Sequence, residues 1–382
     1  MSEKVCKHKT VKITLEPDGY SIHTFELSRK LTSFEWQRTK DELYRQCKGE
    51  IYPDKSLGDD HVCTRYAKFG VRLRLEHRES KSGPTLYHVR MIINPRRLID
   101  PNSDYLGILT PKKKSIDRLE RAFHKLFEGT PIGCDIRDYY LSRVDLCTNI
   151  RCANRKVFRE LIRLLRKTAT PKKYERKQYR HQDKKKANRY NKHYIRLCCG
   201  SQELVVYDKT YQLNDNGAIV AYENLPEGIL RVEVHYDRSQ IKKTEKDLQN
   251  ENPLEILWLL IRESKRRILS LVGKCYPDLC YRSFEEGVSR IQQSAFQQSS
   301  RERMQTLLGQ MQRKQTVDAA FKWMRARNIT TDDLLVKFTK LGLNPIPLRK
   351  GCAAKRMPSL PEILRTVEDH AVEMELEYWK WK

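Results

Sequence analysis

The segments LSRVDLC (141–147), ELVVYDK (203–209) and LRVEVHY (230–236) decide how this chain reads. Each alternates aliphatic with polar or ionisable residues at a period of two, as a strand with one buried and one polar face does. Val144 and Leu146 take one face of the first segment, and Arg143 and Asp145 the other. Val205, Tyr207 and Lys209 share a face of the second. Arg231, Glu233 and His235 stand opposite Val232 and Val234 on the third. If the three are sheet neighbours, one face gathers Asp145, Glu233, Arg143, Arg231, Lys209 and a tyrosine. Taken singly, each also reads as an ordinary half-buried strand.

Outward from these segments the first half mixes strands and helices. Residues 11–15 and 20–25 read as a hairpin turning at Pro17-Asp18-Gly19, and 34–47 as a helix. Residues 70–77 alternate strictly and pair with 85–94 through Ser82-Gly83-Pro84. A helix over 115–127 is expected to be capped by Ser115, and 154–167 is a second amphipathic helix. Strands follow at 194–198, 203–207 and 229–236. Short hairpin-like links favour an antiparallel or mixed α+β sheet over a doubly wound parallel one. Beyond Ser239 the pattern turns helical, with helices expected over 253–271, 283–310, 317–327, 330–341 and 358–381. The organisation expected is a sheet-based domain over 1–240 and a helical region over 241–382. The pair around 317–341 fits either a helix-turn-helix or two bundle helices. The last helix would carry an acidic stripe of Glu362, Glu368, Glu373, Glu375 and Glu377.

The chain has 382 residues, 75 Lys and Arg against 49 Asp and Glu, and a formal net charge of +26. A charge of that size calls for a polyanionic partner. It concentrates in a tract over 163–196 that includes Lys172, Lys173, Arg176, Lys177, Arg180, Lys184, Lys185, Lys186 and Arg189, interleaved with Tyr174, Tyr179, Tyr190 and Tyr194. Cations neutralise phosphates and release counterions, and tyrosine rings stack on unpaired bases. The tract lacks the apolar helical face of a membrane anchor. No apolar run is long enough to span a bilayer, and the polar N-terminus lacks a signal peptide's apolar stretch. A cytoplasmic protein is expected. The eleven cysteines form no CxxC pair and read as free thiols.

No Walker loop, HExxH, GxSxG or His-hydrophobic-His pair occurs. What remains suits phosphodiester chemistry. A tyrosine hydroxyl can attack a DNA phosphate and keep the bond energy in a phosphotyrosine link. Two carboxylates can hold Mg2+ or Mn2+ against the developing charge, and arginine can clamp phosphate oxygens.

The blocks VRMIINPRRL (89–98), SRVDL (142–146), VVYDK (205–209) and LRVEV (230–234) resemble, in order and spacing, the Rep_trans-type rolling-circle replication initiators of plasmids and related mobile elements. The similarity covers about residues 70–240, with YWKWK (378–382) added to it. The resemblance implies an enzyme that nicks one strand of a double-stranded origin, stays linked to the 5′ phosphate through tyrosine and leaves a 3′ hydroxyl primer. It implies Tyr207 as nucleophile, Asp145 and Glu233 as ligands of Mg2+ or Mn2+, and Arg143 and Arg231 on phosphate or carboxylates, with Lys209 in the same block. Such initiators commonly act as dimers and recruit a host helicase. Family members can carry an acid two residues before the Asn-Pro. Here that position is Ile92; either Glu76 on the preceding strand replaces it or the metal has fewer protein ligands. A conjugative relaxase of the same chemistry and a non-enzymatic origin- or operator-binding protein are the alternatives. A tyrosine recombinase is disfavoured, because its nucleophile sits on a C-terminal helix.

Overall fold

The structure is a computed structural model and describes residues 6–15, 19–54, 60–78, 83–104, 106–152, 154–215, 228–314, 316–352, 354–366 and 372–379. Strands β1 (Cys6–Leu15), β2 (Ser21–Leu31), β3 (Ile51–Asp54), β4 (Asp60–Cys63), β5 (Val71–Arg78), β6 (Leu86–Ile93), β7 (Tyr140–Cys152), β8 (Glu175–Lys177), β9 (Tyr194–Cys199), β10 (Gln202–Asp208) and β11 (Gly228–Asp237) belong to one sheet. β12 (Tyr281–Arg282) and β13 (Arg356–Met357) form a small ladder, and β14 (Val372–Trp379) joins the large sheet through β1. The main order is β3-β4-β5-β6-β2-β7-β11-β10-β9-β8, and every pairing is antiparallel. The fold is therefore α+β, with helices gathered in the C-terminal part.

The helices are α1 (Ser33–Gln46), α2 (Pro95–Ile99), α3 (Lys113–Phe127), α4 (Arg155–Lys167), α5 (Lys184–Tyr190), α6 (Lys209–Asp215), α7 (Arg238–Leu248), α8 (Pro253–Arg262), α9 (Ser264–Cys275), α10 (Phe284–Gln292), α11 (Gln298–Arg313), α12 (Val317–Arg325), α13 (Leu334–Lys340) and α14 (Leu360–Arg365). Helices α8 and α9 pack on β2 and β7, with α9 also reaching β11. The sheet face they cover carries Ile22, Leu146, Leu204, Val206, Val232 and Val234, all in one continuous core with Leu257, Ile261 and Ile268. The alternation read in β7, β10 and β11 thus sends the aliphatic side chains into that core. The polar set is left on the opposite face.

Several expectations need correction. β1 and β2 are not a hairpin. β2 pairs with β7 from Ser21↔Cys147 onward, and β1 pairs with β7 further on, at Leu15↔Ile150. Both therefore lie along the edge of β7 away from β11, and residues 16–18 of the expected turn lie outside the described residues. The expected last helix is cut short. α14 ends at Arg365, and Val372–Trp379 is a strand whose Glu373, Glu375 and Glu377 stand in register with Lys12, Thr10 and His8 of β1. Helix α3 begins at Lys113 without a side-chain cap, so Ser115 is inside it. The long stretches 253–271 and 283–310 are each two helices. Helix α13 starts at Leu334 with no cap from Thr330, Thr331 or Asp332. The link from Ala326 to Asp333 exceeds the three- or four-residue turn of a helix-turn-helix.

Candidate active-site cleft

On the polar face, register sets the geometry. Tyr207 stands opposite Arg231, Val205 opposite Glu233, and His235 opposite Asp145. Side chains one and two rungs apart on one face of neighbouring strands are within reach of each other. Accordingly the Tyr207 hydroxyl donates to Glu233 Oε1 at 2.9 Å. His235 Nε2 lies 3.0 Å from Glu233 Oε2 and 3.8 Å from Asp145 Oδ1, and its Nδ1 lies 3.4 Å from Glu203 Oε2. Arg143 grips Asp145 through Nε and Nη2 at 2.7 and 3.0 Å, and Thr24 donates to the same carboxylate. Tyr207, Glu233 and Asp145 therefore converge, with His235 between the two acids.

These groups border a cleft of about 530 Å³ lined also by His23, Glu26, Arg72, Ile92, Arg97, Lys209 and Gln212. Arg143 remains 42% exposed on it, whereas Tyr207 is 6% exposed. Lys209 begins α6, donates to Gln212 at 2.8 Å and holds its ammonium 6.0 Å from the centre of the Tyr207 ring. Arg231 is fully buried and donates Nε to Asn149 Oδ1 at 2.7 Å and Nη2 to the Leu106 carbonyl. It ties the Leu106 backbone to Asn149 of β7. It does not line the cleft, and of the two roles expected of it, on phosphate or on carboxylates, it takes the second, its charge acting on Glu233.

Burial and charge tune the groups differently. Burial, reinforced by the Glu233 carboxylate, pushes the Tyr207 phenol well above its usual range. Burial and the Arg231 guanidinium bring Lys209 down to about 7. Burial also opposes charge on His235, but Asp145 and the bonds to Glu203 and Glu233 outweigh it and raise His235 to about 9. Burial disfavours the Glu233 carboxylate too, and is outweighed by the hydrogen bond and charge of His235 and by Arg231, which hold it below the ordinary carboxylate range. Arg143 Nη2 also lies 3.2 Å from His235 Nδ1, and the pair is enclosed by Asp145, Glu203 and Glu233.

Sequence reasoning missed His23 and Glu26. A bulge in β2 between Ile22 and Thr24 inserts His23, and its ring comes into the cleft. Its Nδ1 is buried without a partner, and burial followed by Arg231 keeps the ring well below its ordinary pKa, hence neutral. The signal was present: buried apolar residues at Tyr20, Ile22, Phe25 and Leu27 step by two, three and two. Glu26 is the register partner of Ile92 and supplies an acid beside the position where one was wanting. Ser142 and Arg90 hold it, at 2.6 and 3.1 Å.

Glu76 does not join the site. It is ion-paired with Arg90 and Arg78 on β5, three strands from β7. Its register neighbours are His88 and then Lys30, six residues past Thr24, the partner of Asp145. At ~4.8 Å per strand and ~3.4 Å per residue, Glu76 and Asp145 are on the order of 25 Å apart. Among the described residues no three His, Cys, Asp or Glu side chains form a group that could hold a metal ion. With Glu76 remote, the acids expected to hold Mg2+ or Mn2+ reduce to Asp145 and Glu233. Asp145 is taken by Arg143 and Thr24, and an imidazole occupies the gap toward Glu233.

The basic tract is folded, as β8 and α5, beside β9. Lys172, Lys173, Lys177, Arg180, Lys184, Lys185 and Arg189 are exposed, and Lys186 faces Asp215 at 3.8 Å. Arg176 departs from the expectation: its guanidinium caps the end of α4 through the Arg166 and Thr168 carbonyls at 2.6 and 2.8 Å. Comparison with models of known protein families found no match, and comparison with curated proteins found none either. No described helix is long and apolar enough to cross a membrane.

Proposed function

We propose that the chain nicks and rejoins DNA by transesterification, with Tyr207 as nucleophile, in the manner of a replication initiator acting on an origin. The observation that supports this best is the 2.9 Å hydrogen bond from Tyr207 to Glu233 at the wall of a cleft bordered by Arg143 and Lys209. Tyr207 Oη attacks the phosphorus, and the bond to the 3′ oxygen breaks. The 5′ phosphate stays on tyrosine, and the 3′ oxygen leaves and takes a proton from water. Because the phenol is pushed upward, its proton must leave as the new P–O bond forms. Glu233 accepts the hydroxyl's hydrogen bond and so orients it, but its depressed pKa makes it a weak base. Lys209, brought down to about 7 and lining the same cleft, is in its neutral form the group better matched to take that proton. Arg143, anchored on Asp145, faces the phosphate oxygens in a site of low dielectric. Rejoining is the reverse attack by the 3′ hydroxyl. These steps are written with protein groups alone; Asp145 and Glu233 would be the ligands of any Mg2+ or Mn2+, and Asp145 is already engaged by Arg143.

A DNA-binding protein without chemistry is the second reading, favoured by the low exposure of Tyr207. The two separate on supercoiled DNA carrying the replicon's own origin, incubated with Mg2+, with Mn2+ and with EDTA. The expected products are relaxed circles and a covalent protein–DNA band, both lost in Tyr207→Phe and Glu233→Ala while binding persists. Equal nicking by Tyr207→Phe would remove the nucleophile assignment.

A further inference from the structure

Between Thr170 and Tyr194 the chain contains no Leu, Ile, Val, Met or Phe, and its large apolar groups are tyrosine and histidine rings. These rings form a chain of contacts. Tyr179 meets Tyr190 at 4.3 Å between centroids, Tyr190 meets Tyr194 at 5.4 Å, and Tyr194 meets Tyr207 at 6.3 Å. Tyr211 flanks Tyr190 at 6.2 Å and stacks on His193 at 4.0 Å with the planes 3° apart. Tyr179, Tyr190, Tyr194 and Tyr211 are each partly exposed, so the chain is a wall at the surface. It runs from the basic tract to the candidate nucleophile. Around it, Arg180, Lys184, Lys185 and Arg189 are exposed, and Arg189 feels a nearby acid, Asp183. A segment needing only to pack could use aliphatic side chains. Rings bordered by exposed cations offer π-faces to bases and charge to phosphates. A duplex keeps its bases stacked on one another, so such rings serve only an unpaired strand.

We propose that this wall is the binding site for single-stranded DNA next to the phosphate delivered to Tyr207. Bases stack on Tyr179, Tyr190 and Tyr211, and phosphates meet Arg180, Lys184, Lys185 and Arg189. The assignment of the wall's inner end to the reacting phosphate rests on the nicking reading; strand binding itself does not.

The test is fluorescence anisotropy with a labelled twelve-nucleotide oligo-dT and a duplex of equal length, in the Tyr207→Phe chain so that cleavage plays no part. Tyr179→Leu and Tyr190→Leu keep apolar volume but remove stacking. Each should weaken oligo-dT binding about tenfold and duplex binding less than about twofold. Tyr179→Trp should bind oligo-dT at least as tightly as tyrosine, and its indole emission should be quenched by oligo-dT and not by duplex. The Trp readout stands even if a Leu variant loses its fold. Equal losses on both DNAs, or no loss on oligo-dT with no quenching, would overturn the wall as a single-strand site. Failure here alongside a Tyr207-linked DNA product would refute the wall alone. Success here with no nicking would refute the chemistry alone.

Discussion

Replacing His235 by Gln should change how stability depends on pH, and by a predictable amount. His235 is 14% exposed and faces Asp145 and Arg143 from β7, Glu203 from β10 and Glu233 from its own strand, with His23 on β2 also near. Its folded pKa of about 9 lies above the ~6.5 of an unfolded histidine. The folded state therefore binds more protons between those values, and its stability falls as pH rises through that window. A gap of about 2.5 units corresponds to about 3 kcal/mol, fully present below pH ~6.5 and gone above ~9. Lys209 works in the opposite direction. Its folded pKa of about 7 lies below the ~10.4 of an unfolded lysine, so the unfolded state binds more protons there and stability rises with pH. The two slopes oppose each other in the wild type, and a single pH profile would conceal both. Urea unfolding of wild type and His235→Gln at pH 6, 7.5 and 9.5, with EDTA present, separates them. The difference in unfolding free energy should shrink by about 3 kcal/mol from the lowest to the highest pH. A difference constant across that range would refute the picture of a charged imidazole held among three acids.

Other outcomes follow from the same geometry. Gly228→Ala would bring a Cβ to 2.3 Å from the Phe158 ring, so it should destabilise the chain by about 1–3 kcal/mol in urea unfolding. Arg231→Met removes the buried guanidinium that holds Asn149 and the Leu106 carbonyl. It should destabilise by about 3–5 kcal/mol, and NMR titration of Lys209 should show its pKa moving up from about 7, because Arg231 is one of the two main causes of its depression. Replacing Lys184, Lys185 and Lys186 together by Ala should weaken DNA binding and reduce the slope of log K against log salt by about 2 on single strands. An unchanged slope would take α5 off the contact surface.

The parts of the fold that could be read in advance were those where one residue decides one face. Arg143, Asp145, Glu233 and Tyr207 alternate with aliphatic neighbours, and the strands they define are the central ones of the sheet. The convergence followed once pairing was antiparallel. Two things escaped because they depend on a broken period or on partners distant in sequence. His23 reaches the cleft only through the bulge after Ile22, which an alternation count treats as noise. The C-terminal segment was read as helical from its acidic residues, although Glu373, Glu375 and Glu377 step by two and Val372, Met374 and Leu376 fill the gaps, as in a strand. Glu76 was drawn in by its place in the chain, but register puts it far along a strand that is three rungs of the sheet away.

The most direct test of the central claim is to trap the protein on a radiolabelled, origin-containing DNA, digest both components and map the labelled peptide by mass spectrometry. The account predicts a phosphodiester from Tyr207 to the 5′ end of the nicked strand, with a free 3′ hydroxyl on the other side. A link through any other residue, or through the 3′ end, would contradict it.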